Sequence, residues 1–448
     1  MMDWLPGGDI VHLIVDAVAM VDLSGFEAGY KLGHAGQAPF APQVLLALLI
    51  YAYSHGIRSS RAVERVCGRD AGYRFIVGDA VPDHTVIARF RQRHAARMRE
   101  MFLAVLRLCH EAGLVRLGLV ALDGTRWVPT RRWMPTAPRA ASPSRWPGCW
   151  PRPRRPMRRR TAGSVGSMAA NCLRLWRGAP TAWRGCSSAR TSCSARRPRR
   201  RRASRKRSTR AAAEQASGKR KRGRKPKPAD AAVDPGTMAN VSSSESGIMK
   251  ARHGWLQGYN AQVVVTTGQI ILAADVTTQA NDVHQLTPML GQAQANVVLV
   301  LGQEAKLGAA VADAGHWSDA NAATETDACE LFIATQKDHA QRAALRDAPP
   351  PRGRKPKSMK LRERMQRKLR TKRGRARYRQ RGASVEPVFG QMKDRQGARR
   401  FSMRGLDRCR GEWLLDAAVH NLRKLHRDSA RRVEKARERA AKRMQKAA

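Results

Sequence analysis

Between Gly124 and Ala213 the chain has not one aspartate or glutamate, although 35 are spread over its 448 residues. No apolar run reaches the roughly 18 residues that a membrane-spanning helix needs. The longest, Val44–Tyr53, reads as a core helix. A basic N-terminal segment followed by an apolar stretch is also missing, so no secretory signal is evident. The eight cysteines stand singly, without a Cys-x-x-Cys pair, which argues against a disulfide framework or a structural zinc. These absences lead us to expect a reduced, cytoplasmic protein with no membrane partner.

What the chain has in excess is positive charge. Its 85 lysines and arginines leave a net charge of +50. Such an excess repels itself in a compact state and calls for a polyanion. Nucleic acid is the commonest such partner, with association with the nucleoid as the expected location; ribosomal or membrane-surface partners are the alternatives. The length suffices for two or three domains with cores of their own.

The acid-free stretch supplies half of the charge. Its 24 arginines and Lys206 leave +25, and it also holds six of the ten tryptophans, half of the cysteines and ten of the 23 prolines. One reading is a basic disordered arm. Disordered segments are normally poor in tryptophan and cysteine, however, and the composition matches GC-rich coding sequence read out of frame. We therefore expect residues 127–213 to be a disordered or out-of-frame insertion, followed by a linker over 214–250.

On either side of this stretch the patterning is ordinary. Residues 1–115 read as helices, with Pro42 opening one and Asp83 capping another over His84–His94. Arg89, Arg91 and Arg93 fall at outer positions of the latter, as in a DNA-reading helix-turn-helix or in a bundle with solvated arginines. Residues 116–126 then carry an apolar run that stops at Asp123-Gly124-Thr125, as a buried strand ending in a loop does. Tyr259–Val265 and Ile270–Val276 read as a hairpin, Asp282–Ala293 as a helix, and Ala309–Ala312 as a buried strand ending at Asp313. Leu331–Ala334 reads as a further strand. Arg362–Lys393 reads as helix interrupted near Gly374 and Gly382, and residues 427–448 as a basic, solvated terminal helix.

Three acids carry the candidate chemistry. Asp123 and Asp313 end apolar strands, and adjacent parallel strands place their terminal carboxylates side by side. Glu386, in a helix packed on that sheet, can complete a cluster. Carboxylates that close require a cation, and oxygen ligands select Mg2+ or Mn2+. Two such ions activate an attacking hydroxyl and stabilise the leaving oxygen of a phosphodiester. The competing readings are ordinary: strand-end aspartates that cap turns, and a Glu386 paired with Arg381 or Lys393.

Several motifs in this order resemble the DDE transposases of bacterial insertion sequences. They are Leu122-Asp-Gly-Thr125, Gly258-Tyr-Asn-Ala-Gln262, Ala312-Asp-Ala-Gly315 and Val385-Glu-Pro-Val-Phe-Gly-Gln-Met-Lys393. Tyr53-Ser-His-Gly-Ile-Arg-Ser-Ser-Arg61 and Pro82-Asp-His-Thr-Val-Ile-Ala-Arg-Phe-Arg91 resemble the family's N-terminal domain, and Gly405-Leu…His420-Asn-Leu422 its C-terminal helix. The resemblance implies an α/β fold: a ribonuclease-H-like mixed sheet flanked by helices over 251–426, preceded by an all-α N-terminal domain. It implies Asp123, Asp313 and Glu386 as catalytic metal ligands for two ions. Tyr378, Arg381 and Lys393 would help to hold double-stranded DNA, both element ends and target, with a homo-oligomer assembled on it. The expected activity is metal-dependent DNA cleavage and strand transfer; the alternatives are a non-catalytic DNA-binding remnant and a metal-dependent nuclease.

Overall fold

Val120–Trp127 (β1) runs between an antiparallel neighbour on one side and a parallel one on the other, and this strand organises everything near the candidate acids. The structure, a computed structural model, describes residues 5–28, 30, 39–128, 137–138, 238–239, 245–251, 254–354, 356 and 358–447. The chain divides into two units, one of Met1–Arg131 with Gly247–Ala448 and one of Arg132–Ser246. Of the second unit little is described beyond an antiparallel pair of two-residue strands, β2 (Ala137–Pro138) and β3 (Met238–Ala239). The expected insertion and linker therefore lie outside the described residues, apart from these strands, Trp127, Val128 and residues 245–250. Trp127 is a correction: it closes β1, opposite Tyr259, and its ring is fully buried.

Before β1 the described elements are helical: α1 (Ile10–Ala19), α2 (Ser24–Glu27), α3 (Pro42–Ser54), α4 (Ser60–Cys67), α5 (Ala71–Val77), α6 (His84–Arg93) and α7 (Met98–Glu111). Their starts follow local chemistry. Pro42 opens α3, where its missing N–H costs nothing. Asp70 and Asp83 cap α5 and α6 through their side chains, Asp83 accepting from the Thr85 N–H at 2.7 Å. Gly113 follows α7 at φ +71, a left-handed conformation that favours glycine. Residues 45–54 of α3 are buried on every side, so this helix is the centre of the helical part.

On α6 the expectation for Arg91 is overturned. Arg89 and Arg93 are exposed, but Arg91 turns inward and is 7% exposed. Its guanidinium donates to the Tyr53 hydroxyl at 3.1 Å and the Arg58 carbonyl at 3.0 Å. The helical repeat of 3.6 explains this, since Arg91 lies four residues after the buried Ile87 and shares its face.

The sheet is mixed. Its order is β4-β5-β1-β7-β8, with β6 also on β5, where β4 is Gly247–Ala251, β5 Gly254–Thr266, β6 Ile271–Thr277, β7 Gly308–Ala312 and β8 Cys329–Ile333. The hairpin β5–β6 and β1 pair antiparallel, while β1, β7 and β8 are parallel. Between β6 and β7, a 3-10 turn over Asp282–His284 precedes α8 (Leu286–Leu301), so the helix expected from Asp282 starts later. α8 and the long C-terminal helix α13 (Leu406–Ala447) both pack on β6, and Tyr259–Val265 are buried in between. Strands covered on both faces have no polar alternation, which is why they read as apolar runs.

After β8 come α10 (Asp338–Asp347), α11 (Leu361–Arg370) and α12 (Lys372–Asp394), with the short α9 (Asp319–Ala322) preceding β8. The break in the basic stretch falls at Thr371, not at the glycines as expected. Thr371 caps α12 by accepting from the Gly374 N–H at 3.0 Å. Gly374 marks a close approach instead: a Cβ there would collide with the Lys368 carbonyl. Pro387 sits inside α12, which packs on β1. Among the described residues no helix is long and apolar enough to cross a membrane.

Candidate active site

Parallel pairing of β1 and β7 ends with Leu122 opposite Ala312, so Asp123 and Asp313 follow side by side; Asp313 lies past the end of β7, whereas β1, expected to stop at Asp123, runs on along β5 to Trp127. Each carboxylate accepts from a backbone N–H that closely follows it in the chain. Asp123 accepts from Gly124 at 2.8 Å, and Asp313 from Gly315 at 3.1 Å. Asp313 also meets His316 Nδ1 at 2.6 Å, and that imidazole is fully buried. Their pKa values shift in opposite directions. Burial, helped by the neighbouring Asp313, pushes Asp123 up to about 6 even though Arg381 opposes it. Burial acts on Asp313 too, but His316 and Arg381 hold it below the usual carboxylate range.

Glu386 stands apart from this pair. It lies on α12, its side chain is 55% exposed, and its contact is Arg342 of α10 at 3.4 Å, not Arg381 or Lys393. It lines a cavity of 640 Å³ with Asp338, Arg342, Tyr378 and Arg381. Arg381 is 4% exposed and bridges two acids, donating to Asp123 at 2.8 Å and to Asp338 at 2.7 Å. Tyr378, one helical turn before it, donates its hydroxyl to the same Asp338 at 3.1 Å. Lys393 is half-buried, with Nζ 2.9 Å from the Thr125 hydroxyl and 5.1 Å above the Trp127 ring. Burial lowers its pKa while Asp123 opposes that shift. Of the six expected DNA-contact side chains, Arg89 and Arg93 are thus exposed on α6, Lys393 is beside β1, and Tyr378, Arg381 and Arg91 are tied into the interior.

Other residues of the site escaped sequence reading. Asp338 was invisible because its partners arrive from α12, forty residues on. Asp282 read as the start of a helix. Its Oδ1 accepts from Asn260 Nδ2 at 2.6 Å and Gln262 Nε2 at 2.8 Å, which gives the Gly258-Tyr-Asn-Ala-Gln262 motif a structural task. Both amides lie across from β1, with Gln262 opposite Gly124. A side chain at Gly124 would strike the Gln262 amide, so the glycine after Asp123 keeps this space open. Asp282 also reaches the pair: a Cβ built on Gly315 would lie 3.2 Å from Asp313 Oδ1 and 3.3 Å from Asp282 Oδ2. Among the described residues, the one group of three side chains with ligand atoms mutually within 4.8 Å is Glu64, Asp83 and His84; Asp123, Asp313 and Glu386 are not drawn that close.

Two family models match the chain. One, described as a transposase DDE domain, covers residues 352–426, and the other, a transposase domain (DUF772), covers residues 2–93. Both matches are to transposase families, and together they support a DDE transposase of an insertion sequence. No curated protein and no solved structure matches it. The first match takes in Tyr378, Arg381, Glu386 and Lys393, and the second takes in α1–α6 up to Arg93. Transposase domains imply DNA as the partner, and DDE transposases use divalent metal ions. The buried carboxylates Asp123 and Asp313 suit such an ion. The donors are hard oxygens, and Asp123 is raised by its surroundings despite a guanidinium at 2.8 Å, so added positive charge there is stabilising.

Proposed function

We propose that this chain cuts and joins DNA in transposition with Asp123, Asp313 and Glu386 as ligands for two Mg2+ ions. The observation that carries the proposal is the parallel register of β1 and β7, which sets Asp123 and Asp313 side by side where that pairing ends, on a strand against which α12 packs. The strand order β6-β5-β1-β7-β8, with the first two antiparallel to their neighbours and the last three parallel, supports a ribonuclease-H-like sheet. The helices before β1 would form an N-terminal DNA-binding domain with Arg89 and Arg93 as its outward cations.

When bound, the ions activate the attacking hydroxyl and stabilise the departing oxygen. The nucleophile is water in cleavage and a DNA 3′-hydroxyl in strand transfer. In each, a bond from its oxygen to phosphorus forms while the bond to the departing 3′-oxygen breaks. Lys393, held between Thr125 and the Trp127 ring, supplies positive charge beside Asp123 and would meet a phosphate there. Arg381 and Tyr378, both anchored on Asp338, orient the face of α12 that carries Glu386. To join Asp123 and Asp313 as a ligand, Glu386 would have to release its contact with Arg342. A homo-oligomer on element ends completes the reading.

The test is Mg2+-dependent nicking and strand transfer on duplex DNA carrying the element ends. Asp123→Asn, Asp313→Asn and Glu386→Gln should each abolish both reactions and leave DNA affinity nearly unchanged. Near-parental cleavage in any one of them would remove that residue from the metal site. Cleavage without strand-transfer product would make the protein a nuclease. DNA binding without metal-dependent cleavage in the parent would make it a non-catalytic remnant.

A further inference from the structure

A second cavity, of 720 Å³, opens where the end of α3, the end of α12 and the middle of α13 meet, and it shares no lining residue with the cavity at Glu386. Four cations line it: Arg395 just after α12, and Arg423, Lys424 and Arg427 on α13. No carboxylate lines it. Among the described residues none of the four forms an ion pair, whereas the acids nearest in sequence are engaged elsewhere, Asp394 with Arg399 and Asp428 with Arg432. Arg423 and Lys424 reach only neutral acceptors, the Ser54 carbonyl and the Gln269 side-chain oxygen.

Four like charges converging on one cavity repel each other, and partial burial weakens the screening that water would supply. The strain shows in the pair on α13. Burial and then Arg395 lower Arg423, while burial and then Arg427 and Arg431 lower Lys424. His420 in the cavity wall adds no negative charge; burial keeps it neutral, with its Nε2–H given to the Gln269 carbonyl at 2.9 Å. An arrangement of this kind is relieved by an anion. The positive track also continues outward: Arg431, Lys435, Arg437, Arg439, Lys442 and Arg443 are exposed along the rest of α13. A single phosphate would satisfy the cavity but not the track, and a polymer of phosphates satisfies both.

We infer that the cavity between α12 and α13 is a phosphate-backbone site for a stretch of DNA outside the catalytic centre, continued along the C-terminal half of α13. It rests on the reading that the chain acts on DNA, and it adds a second place where DNA is held. The contact is with phosphates, so it positions DNA without reading its sequence.

The experiment is the salt dependence of duplex binding by the full chain, measured by fluorescence anisotropy. Two double variants are compared with the parent, Arg423→Gln/Lys424→Gln and the exposed pair Arg395→Gln/Arg427→Gln. Each should flatten the slope of log affinity against log salt by about 2 and weaken binding roughly tenfold at moderate salt, equally for unrelated sequences. If the half-buried pair fails to fold, as judged by circular dichroism, the exposed pair decides alone. A folded variant with the parental slope overturns the inference. Stabilisation of the parent by inorganic phosphate, lost in the variants while the DNA slope stays parental, also overturns it and makes the cavity a small-anion site. Parental Mg2+-dependent cleavage with unchanged slopes sinks this inference alone; absent cleavage with flattened slopes sinks the catalytic reading alone.

Discussion

The side chain of Gln269 donates at 3.1 Å to the carbonyl of Ala383, the carbonyl that Pro387 leaves without its helical donor four residues on. Gln269 sits at the tip of the β5–β6 hairpin at φ +65, and its backbone and side-chain oxygens also accept from His420 and Gln391. A turn residue of the sheet thus repairs the helix that carries Glu386. We expect Gln269→Ala to cost about 1 kcal/mol, because the orphaned carbonyl is partly open to water. Pro387→Ala restores the helical donor, so the two changes should be non-additive by a similar amount in a double-mutant cycle. Additive unfolding free energies would show that the proline and the glutamine are independent.

A buried ion network ties the helical part to α13. Arg58 donates to Asp416 at 2.6 Å and to Glu412 at 2.7 Å, and both carboxylates are fully buried. Tyr53 donates to Glu412 at 3.1 Å, and Arg58 stacks 4.3 Å over the Tyr53 ring. Removing the cation would strand two buried acids, so Arg58→Ala should lower stability by about 3–5 kcal/mol in urea denaturation. A loss under about 1 kcal/mol would mean that water reaches these carboxylates.

Two buried groups on α13 respond to pH with opposite signs. Burial pulls His420 down to about 4, so its stabilising contribution is complete above its ordinary value of 6.5 and is lost as pH falls toward 4. Burial raises Asp416 to about 6 against its ordinary 3.8, so its contribution is complete at low pH and is lost as pH rises through 6. The two offset each other between pH about 4 and about 6. Single variants should uncover each slope: His420→Gln becomes less stable as pH rises through that window, and Asp416→Asn becomes less stable as pH falls. Denaturation midpoints that move in parallel for both variants would contradict the assignment.

Asp338 holds Arg381 and Tyr378 by separate oxygens. In Asp338→Asn, Arg381 keeps only Asp123 as a charged partner and α12 loses its fixed orientation. Metal-dependent cleavage should fall roughly 10- to 100-fold, with DNA affinity within about twofold of the parent. Equal losses in binding and cleavage would instead make Asp338 a structural residue.

Local chemistry in the sequence determined the element starts at Pro42 and Asp83, and the apolar runs that reach Asp123 and Asp313. Those features are set by a few neighbouring residues, through caps, fixed φ and burial on both faces of a sheet. Charge alone also indicated a polyanionic partner. Only the tertiary structure decided which cations remain free for one. Arg91 and Arg381 look like solvated arginines in sequence, yet each is turned inward by partners hundreds of residues or several helices away. The same holds for Asp338, Asp282 and the cations of the second cavity, which form no ion pair among the described residues. A side chain's chemical type is local, but its exposure and partners depend on which distant elements the core packs together.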